Sequence, residues 1–385
     1  MRNKLVNLLV FLIKTESKQC PPEDLFPVSE NRLLILASRN KTTPFLFHFL
    51  NCPSCKKRLT KKTIRKLSQY RKFALIWPLL YQKEKQLLGK LCRQEKIRAV
   101  LLKDFSSYPK ILSHQQFQMA VDLDLLVRKK ELPKIESFLL KKGYQVKENL
   151  RFKNGQGKIY YQEKTFAHPK KHVSLDLHTQ LAIPHHDEFL FLNPKLIAQI
   201  SKAIYLNSHR RTQDFLFEPG KEYFLFSLII HYLGSDLLKG LRNLFDIIQF
   251  AHFYDEEIGW EKFWALAQQY KITNFSSFIF LLGSHVFDRP IPRGFKRNIH
   301  VPFRVKFLIP YYFIKKIAIF PSIVKWNKKN KEARKIFYEN FFIKMLLADS
   351  VSSWRLIRPR VFFFVLRVGC SWLNKSVSRL YRKSL

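Results

Sequence analysis

The stretch Ala120-Val-Asp-Leu-Asp-Leu-Leu-Val127 decides the fold class of the chain. Its alternation of apolar and acidic residues predicts a β-strand. Side chains alternate across a strand, so Asp122 and Asp124 share one face while the neighbouring leucines occupy the other. Two carboxylates this close repel each other unless a cation compensates them, and hard divalent ions such as Mg²⁺ or Mn²⁺ prefer oxygen ligands. The strand therefore predicts a metal site.

The residues around this strand alternate between short β-type stretches and one helix, a pattern typical of a mixed α/β unit. Gly143 is well placed to end the helix, because glycine adopts the left-handed cap conformation at little cost. We predict strands over residues 98–102 and 120–127, a helix over 130–142, and a hairpin over 158–166 and 172–178.

A second acidic strand, His172-Val-Ser-Leu-Asp-Leu-His178, repeats the alternation and places Ser174, Asp176 and His178 on one face. If it pairs beside the first strand, Asp176 completes a cluster of three carboxylates. Such a cluster suits phosphoryl or nucleotidyl transfer, in which metal ions neutralise the triphosphate and the third acid can take up the proton of the attacking hydroxyl. An isolated Asp-x-Asp is more often a pair of surface acids, so the prediction depends on this second strand.

A series of short motifs in this order resembles the uncharacterised nucleotidyltransferase family, within the superfamily related to DNA polymerase β. The resemblance extends from about residue 75 to about residue 285. Its motifs are Val100-Leu-Leu-Lys103, Val121-Asp-Leu-Asp-Leu-Leu-Val127, Leu139-Leu-Lys-Lys-Gly-Tyr144, Ser174-Leu-Asp-Leu-His178, Leu228-Ile-Ile-His231, Leu241-Arg-Asn-Leu-Phe-Asp246 and Gly259-Trp260.

This resemblance implies an α+β fold, in which a mixed sheet is flanked by helical regions on both sides. It implies that Asp122, Asp124 and Asp176 are the catalytic, metal-binding acids, and that Lys103 faces the phosphates of the nucleotide. His178 is then a supporting residue near the site.

The phosphate side of the site departs from the family pattern at two positions. Asp104 stands where family members usually have glycine, and it adds negative charge near the expected phosphates. Gln118 stands where an arginine is usual, so a phosphate clamp is lost. Ser106 and Ser107 can still donate hydrogen bonds to the nucleotide.

The length and patterning of the chain predict several folded units in its 385 residues. We expect an N-terminal helical region over residues 1–97, a nucleotidyltransferase core over 98–182, a helical domain over 183–300, and a basic, aromatic-rich helical tail over 301–385.

Charge sets the class of partner. Lys and Arg number 69 against 29 Asp and Glu, a formal net charge of +40, which favours anionic partners. In the tail, Val361-Phe-Phe-Phe-Val-Leu366 lies among arginines, as in a helix at an anionic membrane surface, although the same residues suit packing on the domain. Five cysteines are too few for a disulfide framework, so we expect the cytoplasm, with peripheral membrane contact as an option.

Three further motifs can be explained by structural roles without metal binding or catalysis. We favour the structural role for the first two and leave the third open. Cys52-Pro-Ser-Cys55, preceded by His48, is one half of a zinc-ribbon spacing, and without a second pair a turn near a helix end is favoured. His185-His186-Asp187 is expected to lie in a loop. His231 and Asp246 fall on apolar helices, where a buried polar pair and a catalytic role are both open.

The leading hypothesis is a Mg²⁺- or Mn²⁺-dependent nucleotidyltransferase that moves a nucleoside monophosphate from an NTP such as ATP onto a hydroxyl of an acceptor. The alternative, motivated by Asp104, Gln118 and the net charge, is a degenerate protein of the same fold that binds or scaffolds at a membrane surface or on nucleic acid. RNA as the acceptor ranks third, since no RNA-binding motif is recognisable.

Overall fold

The computed structural model describes residues 2–14, 20–22, 29–103, 122–153, 159–170, 173–181, 194–210, 216–234 and 241–298. Within these ranges a mixed sheet is preceded and followed by helices. The strands are β1 (Ala99–Leu102), β2 (Asp122–Leu126), β3 (Gln145–Lys153), β4 (Ile159–Ala167), β5 (Ser174–His178), β6 (Ser208–Arg210) and β7 (Leu216–Pro219).

Most of the helices lie before β1 or after β7. They are α1 (Arg2–Lys14), α2 (Glu30–Arg39), a 3-10 helix (Thr43–Phe47), α3 (His48–Asn51), α4 (Pro53–Lys57), α5 (Lys61–Gln94), α6 (Leu132–Lys141), α7 (Pro194–Leu206), α8 (Lys221–Gly234), α9 (Leu241–Phe253), α10 (Trp260–Gln269), α11 (Thr273–Phe287) and α12 (Arg293–Asn298).

In the described residues, seven strands form one sheet in the order β3-β4-β5-β2-β1-β7-β6. Strand β2 runs parallel to β5 and β1 runs parallel to β7, whereas the other neighbours are antiparallel. The predicted α+β class with helical regions on both sides of a mixed sheet is therefore confirmed.

The predicted elements around β2 agree with the structure. Helix α6 ends where expected, since Gly143 takes a φ of 83° and the amide of Tyr144 bonds back to the carbonyl of Leu139 at 3.0 Å. The predicted hairpin is the antiparallel pair β4 and β5, and β3 extends the meander on its other side.

Strands β6 and β7 were not predicted, because Ser208-His-Arg210 and Leu216-Phe-Glu-Pro219 are too short and too polar to show an alternating pattern. Strand β7 nevertheless buries Leu216 beside Ala99 of β1. The sheet thus takes two strands, β6 and β7, from the range 183–300, which we expected to be helical. The division of the chain into four units remains a prediction, and residues 301–385 lie outside the described ranges.

The sheet has apolar layers on both faces. On one face Leu123 and Leu125 of β2 pack in a cluster with the C-terminal half of α5 and with α6. On the other face Leu102 and Leu126 join a larger cluster that includes residues of α1, α2 and α7 to α12. Because Asp124 alternates with the buried leucines, it lies on the face toward this larger helical layer.

Among the described residues, none of the helices combines the length and the apolar character that crossing a bilayer requires.

Candidate active site

Two of the predicted acids become neighbours through the parallel pairing of β2 and β5. Asp124 lies opposite Asp176 in this register, and Leu126 lies opposite His178. Residues that share a register position on adjacent strands project to the same side of the sheet, so both acids point toward the same space. The side chains of Asp124, Asp176 and His178 offer potential ligand atoms that all lie within 4.8 Å of one another.

Asp124 is buried and contacts two cationic groups. Its Oδ2 lies 2.6 Å from Lys103 Nζ, and its Oδ1 lies 2.8 Å from His178 Nε2. Burial alone would raise the pKa of this carboxyl, but the charges of Lys103 and His178 outweigh it and hold the pKa of Asp124 well below its usual range. Asp124 is therefore ionised and fully paired in this state.

Lys103 follows directly after β1 and has a φ of 55°, in the left-handed region that a lysine rarely adopts. This conformation ends β1 beside Asp124, which is the register partner of Leu102. The Lys103 side chain is 24% exposed, and its ammonium also lies 3.4 Å from Nε2 of His231 on α8. A strained backbone thus holds a partly accessible cation between the sheet and the helical layer.

His178 connects Asp124 to a second acid behind it. Its Nδ1 lies 3.2 Å from Oε2 of Glu163, which is its register partner on β4. Burial disfavours the charged imidazole, but the interactions with Asp124 and Glu163 outweigh burial and raise the pKa of His178 to about 10. At neutral pH the ring is an imidazolium that donates to Asp124. The supporting role that the resemblance implies for His178 remains a prediction.

Asp176 has the opposite electrostatic character. Burial raises the pKa of Asp176 to about 6, the negative charge of Asp124 adds to the shift, and a hydrogen bond from Thr165 opposes it. Its Oδ1 is buried and, within the described part of the chain, has no hydrogen-bond partner. A buried carboxylate oxygen without a donor is unfavourable unless a ligand completes it.

Asp122 lies on the same face of β2 but is exposed, and it is not a member of the three-residue group. Its charge still acts on the site, since it contributes to the raised pKa of Asp176. The structure therefore brings Asp124 and Asp176 together and leaves Asp122 at the solvent side of the same strand.

Glu163 is a residue of the site that sequence reasoning missed. A glutamate beside a lysine in β4 gives no signal on its own, and only the register of β4 with β5 places it beside His178. His231 was left open between two roles, and the structure places it beside Lys103, while Asp246 pairs with Arg242 at 2.7 Å.

The phosphate side of the predicted site lies outside the described residues. The structure does not describe residues 104–121, which include Asp104, Ser106, Ser107 and Gln118. It also does not describe residues 182–193, which include His185 to Asp187. Nucleotide binding by Ser106 and Ser107 therefore stays a prediction.

The mixed sheet flanked by helical regions is the α+β architecture that the resemblance implied. A family model described as uncharacterised nucleotidyltransferase matches residues 27–288, and the chain belongs to this family. The match begins at residue 27, whereas the resemblance in the sequence motifs begins at about residue 75. The family match therefore also includes α2 to α5. A search of curated proteins found no match to the chain.

Proposed function

We propose that this chain is an active nucleotidyltransferase that moves a nucleoside monophosphate from an NTP to a hydroxyl of an acceptor with the help of Mg²⁺ or Mn²⁺. The family supports nucleotidyl transfer in general. The single observation that carries the finer proposal is the pairing of Asp124 with Asp176 in register, with a buried Asp176 oxygen that lacks a hydrogen-bond donor among the described residues.

The donor set fits a hard divalent cation. Asp124 and Asp176 supply oxygen ligands, and the exposed Asp122 adds a third carboxylate at the edge of the site. When bound, such an ion would neutralise phosphate charge and lower the pKa of the attacking hydroxyl.

Lys103 has two roles in this proposal. Its ammonium neutralises Asp124 in the absence of a metal ion, and it competes with a cation for the same carboxylate. Because its side chain is long and partly exposed, it can turn toward the phosphates of an NTP once Asp124 is otherwise neutralised. This exchange of partners would couple nucleotide binding to cation binding.

Asp176 is proposed to accept the proton of the acceptor hydroxyl. A pKa of about 6 leaves it mostly ionised at neutral pH, yet more basic than an ordinary aspartate. His178 and Glu163 are proposed to hold Asp124 in place and to keep the local charge balanced.

The test is calorimetric titration of the full chain with ATP, CTP, GTP and UTP, each with and without Mg²⁺. We expect binding of at least one nucleotide that requires the metal and is lost in Asp176→Asn. Glu148→Gln, an exposed acid on β3, is the matched control and should bind like the unaltered chain. If no nucleotide binds in a metal-dependent way, the proposal is wrong.

A second candidate function, a catalytically inert binding module, is favoured by one specific observation. Both oxygens of Asp124 already contact cationic side chains, so this acid is neutralised without a metal ion. Such a protein would bind an anionic membrane or nucleic acid through its basic surface. In that case Asp124→Asn and Asp176→Asn would leave its biological activity unchanged, and Mg²⁺ would not alter its thermal stability.

A further inference from the structure

Three cysteine side chains meet at a place remote in sequence from the carboxylates. The sulfur atoms of Cys20, Cys52 and Cys55 all lie within 4.8 Å of one another, and the thiols are free. Cys52 and Cys55 form the Cys-x-x-Cys pair noted in the sequence, whereas Cys20 comes from the separate segment 20–22. The missing partner of the half zinc-ribbon spacing is therefore supplied by a residue more than thirty positions earlier.

The local structure holds the pair in place. Cys52 is the residue before α4, and Cys55 lies within that helix, so one helical turn sets the separation of the two sulfur atoms. Both side chains are buried in the larger apolar cluster, whereas Cys20 is exposed. Ser54 Oγ lies 3.1 Å from the sulfur of Cys52 and 3.9 Å from that of Cys20.

We propose that Cys20, Cys52 and Cys55 form a zinc site. Thiolates are the ligands that Zn²⁺ binds most readily in proteins, and three of them occupy three positions of its tetrahedral coordination. The fourth position is left for water or a further ligand. This inference is independent of the nucleotidyl-transfer site, whose oxygen donors suit harder ions.

Local charge supports the assignment. Three thiolates around Zn²⁺ carry a net charge of about −1. Lys56 and Lys57 in the last turn of α4, followed by Arg58, provide positive charge beside the site. A metal ion here would attach segment 20–22, which lies outside the family-matched residues 27–288, to the helices that lead into α5.

The experiment measures metal content and a spectroscopic marker in the full-length protein, purified with a reductant that does not bind metal. Zinc is quantified after dialysis, and Co²⁺ is then titrated into metal-free protein. We expect about one equivalent of zinc per chain and, with Co²⁺, the sulfur-to-cobalt charge-transfer band and intense visible bands of a tetrahedral thiolate site.

The variants separate this site from other metal binding. Cys20→Ser changes an exposed side chain and should fold, yet it should lose the zinc and most of the charge-transfer band. Cys92→Ser is the matched control, because Cys92 is a buried thiol of α5 outside the group and should retain both signals. Asp176→Asn should also retain them, whether or not nucleotidyl transfer is the function.

Two results would overturn the proposal. One is the absence of a charge-transfer band on addition of Co²⁺ to the reduced, unaltered protein. The other is a disulfide among Cys20, Cys52 and Cys55, found by mass spectrometry in protein that was isolated with the thiol-blocking reagent already present and that contains no zinc.

Discussion

Asp124 and Asp176 are adjacent and chemically identical. Their surroundings stabilise the charged form of Asp124 and destabilise the charged form of Asp176. Asp124 is paired with Lys103 and His178, which favour its charged form. Asp176 receives a hydrogen bond from Thr165 but retains one buried oxygen without a donor among the described residues. In the metal-free protein, ionised Asp176 should therefore destabilise the fold, as residues that serve a ligand often do.

We predict that Asp176→Asn raises the free energy of unfolding at neutral pH by about 1 to 2 kcal/mol. The pKa of Asp176 is raised from 3.8 to about 6 in the folded chain. Between pH 3.8 and about pH 6, Asp176 has released its proton in the unfolded chain but keeps it in the folded chain. The free energy of unfolding therefore falls as the pH rises through this window. Above about pH 6 the full penalty persists, and the amide removes it.

The measurement is urea unfolding of both proteins in EDTA at neutral pH and near pH 4. The advantage of Asp176→Asn should shrink at the lower pH, where folded Asp176 keeps its proton and the unfolded chain binds it about half of the time. An unchanged or lower stability of the variant at neutral pH would show that Asp176 is not a strained anion.

A second residue-scale prediction concerns Lys103, which in the proposed function competes with a metal ion for Asp124. Lys103→Met should strengthen binding of Mn²⁺ alone by roughly tenfold, because one nearby positive charge is removed. The same change should weaken binding of NTP, because the proposed phosphate contact of Lys103 is lost. Both constants are measured calorimetrically, with Lys147→Met on β3 as the control for a general loss of charge.

At the scale of single residues, much of the site followed from strand alternation. It placed Asp122 and Asp124 on one face and assigned Asp176 to a matching strand. It could not show that Asp122 is exposed, nor that Glu163 lies behind His178, because both facts depend on strand length and register. Register arises from pairing partners that are distant in sequence, and no local pattern reports it.

At the scale of elements, the helical layer depends on a close approach of α9 and α11. A Cβ added at Gly283 of α11 would overlap Cγ1 and Cδ1 of Ile248 on α9. Gly283→Ala should destabilise the protein by about 1 to 2 kcal/mol, since overpacking outweighs the better helix propensity of alanine.

The test is thermal or urea unfolding of Gly283→Ala, of Ile248→Ala and of the double variant. Ile248→Ala leaves space that the new methyl group can fill, so the double variant should be more stable than the sum of the single losses implies. Strict additivity would mean that the two helices do not meet at these residues.

Elements with a strong local pattern were predictable, and short ones were not. The helix before Gly143 and the hairpin of β4 and β5 show periodicity and turn signals in their own sequence. Strand β7 is only four residues long and is defined by its place beside β1, which comes from more than a hundred residues earlier. Tertiary contacts, rather than intrinsic preference, create that strand.

At the scale of the whole molecule, the net charge of +40 predicts an attraction to polyanions. We expect the full chain to bind both homopolymer RNA and vesicles that contain phosphatidylserine, with affinities that fall steeply as salt rises. Neutral phosphatidylcholine vesicles are the control. Sedimentation at increasing salt measures the effect, and salt-independent binding would indicate apolar rather than electrostatic attachment.

The parallel pairing of β2 with β5 has a consequence for folding. The β3-β4-β5 meander joins strands that are close in sequence, whereas pairing β2 with β5 closes a loop of roughly 50 residues and costs more chain entropy. Asp124 and Asp176 become neighbours only when this loop closes, and their repulsion opposes that step. A nascent or partly unfolded chain therefore lacks the acid pair. Divalent ions that bind the acid pair would stabilise the native state and not the folding intermediates that precede it.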